Sequence, residues 1–188
     1  VKKIIFTTLL MLSSLLALEK TQIIPTMTTK INQATTILKE NKDLEVEKKA
    51  EKIFNILDEI FDYKLMARLS LGKANWKSMS KKQQEEFTQK FIGHLKRSFM
   101  DKLNLYTDEE IKILELKEVK KNRLWLVSEL VSGKDKYEII YKFYKSKKNG
   151  WKIYDVNIIG VSLIQTYRVQ FANALKNGTY TALLNKLQ

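Results

Sequence analysis

The sequence contains no cysteine, one proline, one histidine and only six glycines in 188 residues. Without cysteine there is no disulfide framework, no thiolate metal site and no lipid anchor attached through sulfur. The single histidine, His94, cannot supply the ligand set of a usual zinc site. It stands beside the apolar stripe of a helix and reads as a flank residue. The glycines form no P-loop, no Rossmann pattern and no G-x-S-x-G elbow. Ser162 has no histidine at a suggestive spacing. Asp135 falls in a turn, and nothing places it near Asp155, so no acid–base pair emerges. Arginine is also scarce, at positions 68, 97, 123 and 168 alone, and lysine is spread along every segment. A nucleic-acid reader would gather arginine and aromatics into a patch. These absences leave no catalytic constellation, no metal site and no cofactor motif; binding is the better class.

What is present begins at the N-terminus. Lys2 and Lys3 precede an uncharged, largely apolar run from Ile4 to Leu18, too short for a comfortable membrane span. Small residues (Ser13, Ser14, Ala17) lie near its end. Residues 1–18 are therefore expected to be a secretory signal peptide, cut between Ala17 and Lys20; a helix that is not cleaved is the competing reading. Residues 19–188 then form one exported domain, long enough for a substantial core. An exported chain without cysteine relies on that core, and the compartment it points to is the periplasm. The formal net charge is +13, and setting aside Lys2 and Lys3 takes it to +11. Such a charge is compatible with attraction to anionic lipid head groups.

Hydrophobic periodicity predicts helices over 22–40, with Pro25 in the first turn, and over 46–61. Asp62 is placed to cap a short helix YKLMARLSL that Gly72 closes. Ser80 and Gln83 form a capping box that opens a long helix bearing Phe87, Phe91, Leu95 and Phe99. Strands are expected at 111–119, 123–132, 136–144 and 151–159, joined by short turns as an antiparallel meander. A helix over 163–176 and a short one after Gly178 end the chain. Helices, then strands, then helices argue for an α+β domain. In the strand at 124–131 both faces are apolar, which implies either helices over both faces or a face lining a cavity.

Gly160 falls where the last strand hands over to a helix. Ser162 and Gln165 read as that helix's capping box, and Tyr167 and Phe171 as its packing face. Arg168 flanks the stripe. Its possible roles are snorkelling to water, an ion pair with a sheet carboxylate such as Asp155, or contact with a head group.

Three stretches, FDYKLMARLSLG (61–72), WKSMSKKQQEEFTQKF (76–91) and WKIYDVNIIGVSLIQTYRVQF (151–171), together resemble the MlaC family, also known as toluene-tolerance auxiliary proteins. The resemblance covers nearly the whole of 19–188, and D-V-x-I-x-G-V-S-L-I-Q-x-Y-R-x-Q-F is its most specific part. Lys81 stands where family members often have proline, and the link from Gly72 to Trp76 is about one residue longer than usual. The resemblance implies a helical layer on a twisted antiparallel sheet of four or five strands, similar to the NTF2-like architecture, with an acyl-chain cavity between them. It further implies a soluble, monomeric periplasmic phospholipid carrier with phospholipid as cargo and no catalytic residue. Its partners would be the substrate-binding subunit of an inner-membrane ABC transporter and an outer-membrane lipoprotein–porin complex, in maintenance of outer-membrane lipid asymmetry. A small-molecule-binding or enzymatic NTF2-like periplasmic protein is the alternative. With the carrier reading, the lining candidates are Tyr63, Met66, Phe91, Leu126, Ile139 and Tyr141.

Overall fold

The computed structural model describes residues 17–103, 106, 108–176 and 178–187. All but the last two residues of the expected signal peptide therefore lie outside the described residues. After a 3-10 turn at Lys20–Gln22 come α1 (Ile23–Glu40), α2 (Val46–Leu57), α3 (Tyr63–Leu71), α4 (Lys73–Ser78) and α5 (Lys81–Leu103). Strands β1 (Glu110–Lys120), β2 (Arg123–Ser132), β3 (Asp135–Ser146), β4 (Gly150–Ile158) and β5 (Val161–Ser162) follow, then α6 (Leu163–Lys176) and α7 (Tyr180–Asn185). The fold is α+β: helices packed on one five-stranded antiparallel sheet in the order β1-β2-β3-β4-β5.

Local chemistry sets the helix starts. The Asp62 carboxylate accepts from the Leu65 N–H at 2.8 Å, capping α3. At Ser80 the capping box is complete: the Ser80 hydroxyl accepts from the Gln83 N–H at 3.3 Å, and the Gln83 side chain accepts from the Ser80 N–H at 2.9 Å. The short α4 carries too few apolar residues to show a stripe, and it falls in the link that the sequence leaves as a connection.

Two cores result. One is built among helices: Met66, Ala67 and Leu71 of α3 meet Trp76, Phe87 and Phe91, and Ile164, Tyr167 and Phe171 of α6 close over them. Its rings pack edge to face, Phe91 on Tyr167 at 5.4 Å and Phe87 on Phe171 at 5.5 Å. The other lies between α1 and the sheet. Ile23, Met27 and Ile31 recur every four residues, the spacing of one helix face, and rest on Leu124, Leu126, Phe143, Trp151 and Ile153. Phe61 packs against both cores.

The register assigns the two sheet faces. Leu126 stands opposite Tyr141, Leu124 opposite Phe143 and Ser128 opposite Ile139, so these six share the face under α1. Trp125, Val127 and Glu129 share the other face with Lys142, Ile140 and Glu138. Ion pairs Lys117–Glu115 and Lys136–Glu129 run across that second face. The doubly apolar strand thus has one helix-covered face and one face of mixed, partly charged character.

The free edge of β4 is covered in three instalments, by segments far apart in the chain. Leu18 forms a bridge with Gly150, and its carbonyl accepts from the Trp151 N–H at 2.9 Å. Phe61 forms a bridge with Ile153, and the Asp62 N–H donates to the Ile153 carbonyl at 2.9 Å. Strand β5 pairs with Asn157 and Ile158. Gly150 has φ +65°, and a Cβ there would lie 2.5 Å from the Leu18 carbonyl oxygen. Only glycine admits the Leu18 backbone at that distance. Gly133 provides the control, with φ +59° and no atom within 4 Å of its Cβ position. Gly133→Ala should cost about 1–2 kcal/mol from left-handed strain alone. Gly150→Ala should cost at least about 2 kcal/mol more, because the Leu18 segment must move. Urea unfolding of both variants checks this, and equal losses would show that the Leu18 pairing contributes nothing.

Candidate functional site

The most specific sequence stretch builds the junction between sheet and helical core. In the β3–β4 register Lys142 faces Asp155 and Phe143 faces Ile153, so Tyr154 is the extra residue of a bulge. The Asp155 side chain is only 6% exposed. It accepts from Lys142 Nζ at 2.9 Å, from the Ser162 hydroxyl at 2.8 Å and from the Ile164 N–H at 3.1 Å. The last is a first-turn N–H of α6, so a strand carboxylate caps the helix and meets its positive end. Ser162 accepts from the Gln165 N–H at 3.1 Å, which confirms its capping role.

Gly160 does not join strand to helix directly. Ile159 (φ +52°) and Gly160 (φ +78°) form a two-residue turn between β4 and β5, with left-handed backbone at both central positions as a type I′ hairpin needs. Glycine takes this conformation without cost, whereas β-branched Ile159 takes it under strain. Of the roles open to Arg168, the ion pair with Asp155 is not formed. Lys142 holds that carboxylate, and Arg168 is exposed beside Gly72. The bulge explains the difference: it turns Asp155 onto the same side as Lys142, a neighbour that sequence order alone does not reveal.

The six lining candidates divide between the two cores. Met66 and Phe91 are fully buried in the helical core, with Tyr63 packed at its margin. Leu126 is fully buried under α1, Tyr141 packs beside it on the same face, and Ile139 continues that face with 8% exposure. The Tyr63 hydroxyl donates to Asp58 at 2.6 Å. Burial first, then this bond and the Asp58 charge, push its ionisation far above the ordinary phenol range. Tyr141 differs: burial alone pushes it up to about 12. His94 flanks the helical core edge-on to Tyr167, and burial, then Arg97, lowers its pKa.

Around the α1 core many large side chains are only partly covered: Leu57 and Phe61 on the helical side, Ile111, Ile113 and Leu116 on β1, and Tyr141 and Val156 on β3 and β4. Toward the β4–β5 hairpin the apolar face runs out into solvent at Ile158 (47% exposed) and Val161 (62% exposed). This half-covered face is the part of the molecule suited to receive apolar cargo. At its other end a groove of about 820 Å³ opens between α1, the β3–β4 turn and the start of β4. A second pocket, of about 590 Å³, lies between the end of α1 and the start of α2. None of the six candidates lines either. The groove around Trp151 had no sequence signature, because its walls come from four separate segments. Among the described residues no group of three or more metal-ligating side chains gathers.

Comparison with known proteins bears on this arrangement. A family model described as "MlaC protein" matches residues 28–188. No curated protein matches the sequence. A solved structure, that of the phospholipid-binding protein from Ralstonia solanacearum in complex with a phospholipid, superposes with a TM-score of 0.76. It is 23% identical, and the match covers 87% of this chain and 93% of that one. The similarity extends to the whole α+β arrangement.

Asp155→Asn keeps an acceptor for Ile164 but strands the Lys142 ammonium, whose side chain is 15% exposed. Breaking a buried pair in this way should cost about 3–5 kcal/mol, measured by urea unfolding; a loss below 1 kcal/mol would show that the junction does not depend on it. Tyr141 gives a pH test. Its folded pKa of about 12 lies above its ordinary value of 10, so its contribution is full below pH 10 and is lost as pH rises to about 12. Tyr141→Phe should flatten part of the alkaline stability loss, leaving the part due to Tyr63, Tyr106, Tyr144 and Tyr180, which are raised in the same direction.

Proposed function

The chain belongs to the MlaC family, and on that premise we propose that it is a periplasmic phospholipid carrier. In this reading it is exported by an N-terminal signal peptide cut directly after Ala17, at the near limit of the expected window, so that Leu18 stays with the folded domain. It exchanges lipid with an inner-membrane ABC transporter complex and an outer-membrane lipoprotein–porin complex. The observation that carries the reading is the half-covered apolar face: Ile113, Tyr141 and Val156 border a well-packed core yet stay incompletely covered themselves. An ordinary core would cover such side chains, each worth about 1.5–3 kcal/mol when fully buried. A carrier leaves them for its cargo. The solved phospholipid complex of similar fold lends support from a distant relative.

The energetics suit the role. Removing two acyl chains of about fifteen methylenes each from water is favourable by about 0.8 kcal/mol per CH₂, on the order of 20 kcal/mol in all. A soluble carrier must match that with apolar surface and release its cargo to a partner, since loss into water would be very slow. No catalytic side chain is required, because any energy input would enter at the transporter. The cargo space would lie where the two cores meet at Phe61, with Leu126, Ile139 and Tyr141 on its sheet wall and Tyr63, Met66 and Phe91 behind its helical wall.

Organic extraction of protein purified from the periplasm, followed by mass spectrometry, should recover phospholipid in stoichiometric amount. Well-folded protein that is consistently free of lipid would refute the carrier reading. Leu126 is unsuitable as a probe, because a charge at a fully buried position would unfold the domain. Half-buried Ile113 is better: Ile113→Glu should be secreted normally and carry several-fold less lipid, and undiminished lipid would move the cargo space away from the β1 side.

A further inference from the structure

One stretch of the chain stands apart in charge. Charged residues make up 29% of the sequence, yet residues 156–188 contain no aspartate or glutamate. Helix α6 carries only Arg168 and the terminal Lys176. It packs on α3, and residues 63–84, which include α3 and α4, are also free of carboxylates. Arg168 lies where the two helices meet, its Nε 3.7 Å from the position a Cβ would take on Gly72 at the end of α3. The guanidinium makes no hydrogen bond or ion pair among the described residues. Asp155 is already taken by Lys142, Ser162 and Ile164.

The same stretch exposes apolar side chains. The β4–β5 hairpin, with Ile158, Ile159 and Val161 exposed, runs directly into α6, where Val169 is 61% exposed. Ile159 is a poor choice for its place: it strains the turn at φ +52° and leaves its side chain in water, where asparagine would serve a type I′ turn better. Neither turn geometry nor burial accounts for an isoleucine there. Around Val169 the exposed side chains of α6 are Gln165, Thr166, Gln170 and Asn173, all uncharged. A solvated helix face would carry lysine and glutamate. Aliphatic side chains and one arginine on a face otherwise depleted of charge is the composition of a protein interface. From Leu163 to Val169 the helix rises about 9 Å, so turn and helix face fit within one interface of ordinary size.

Charge decides what covers this face. A two-fold contact between copies would set a carboxylate-free surface against itself and leave Arg168 unpaired. A bilayer would have to dehydrate the amides of Gln165, Gln170 and Asn173, and the helix offers no exposed aromatic to offset that. A protein that brings its own carboxylate satisfies Arg168 and covers the aliphatic side chains in one contact.

We propose that the Ile159 turn and the outer face of α6 form the docking surface for an acidic protein partner. Its carboxylate takes the Arg168 guanidinium, and its apolar side chains cover Ile159 and Val169. Docked there, the partner sits beside Ile158 and Val161, where the apolar cargo face reaches solvent. The proposal rests on the carrier reading only for which proteins supply the partner.

The probes are the purified inner-membrane ABC transporter complex and outer-membrane lipoprotein–porin complex of the carrier reading, with binding to the secreted protein measured by biolayer interferometry. Arg168→Gln should weaken binding to at least one complex roughly 10-fold, and Arg168→Glu roughly 100-fold, because reversal adds repulsion to the lost contact. Ile159→Asn should weaken it roughly 5-fold while raising the urea midpoint, since asparagine accepts left-handed backbone. Unchanged binding by these variants, Arg168→Glu no worse than Arg168→Gln, or no binding of the wild type to either complex overturns the proposal. Loss confined to binding of phosphatidylethanolamine–phosphatidylglycerol vesicles also overturns it, since the surface is then a membrane contact. Lipid extracted from the same wild-type preparation reports separately on the carrier reading: lipid-free protein that still shows this ranking keeps the docking surface and removes the carrier.

Discussion

The Asp155 carboxylate takes hydrogen bonds from three elements at once: Lys142 on β3, Ser162 at the end of β5, and the backbone of Ile164 in the first turn of α6. Each partner needs the others. Without the bulge at Tyr154, Asp155 would not share a side with Lys142. Without the two-residue turn at Ile159–Gly160, Ser162 would not come back alongside Asn157. The strain at Ile159 is tolerated because a buried, satisfied network lies on the far side of that turn. Through this carboxylate the sheet fixes the position of α6, and through Tyr167 and Phe171 α6 fixes the helical core.

That hierarchy explains why the domain has two cores and a seam between them. The helical core is dense with mutually packed rings, and its outward signals are few. The α1 core is anchored at Trp151, Ile153 and Phe143, but loosens toward β1 and toward the hairpin, where apolar side chains are half-covered. Phe61 belongs to both, and the backbone beside it is pinned to β4 at Ile153. A molecule that must open an internal space without losing its fold benefits from this division. One module stays fixed while the contacts of the other are incomplete from the outset.

Local features were the legible ones. Asp62, Ser80 and Ser162 cap where their sequence context predicts, because a cap depends on residues two or three positions away. Strand positions and the antiparallel order followed from alternation and turn length. Lys142 was not legible as the partner of Asp155, since its position depends on a one-residue bulge that alternation cannot reveal. The lining candidates divided for a related reason. Periodicity identifies which side chains turn inward, as it did for Met66, Phe91 and Leu126, but not which of two interiors each one joins. The groove at Trp151 was illegible altogether: an unpaired indole N–H is a property of surroundings drawn from α1, the Glu59 turn, β4 and the Leu18 segment.

The Leu18–Gly150 bridge has a consequence for the order in which the domain assembles. Its two sides lie near opposite ends of the chain, so forming it closes a loop of roughly 130 residues, at an entropic cost that nothing local repays. The glycine notch exists only once the β3–β4 turn has set φ at Gly150, so the first residues of the folded domain have no seat until nearly the last strand is in place. Leu18 is thus the first of these residues to leave the ribosome and among the last to find its contacts, and its pairing acts as a clasp that shuts only on a finished sheet.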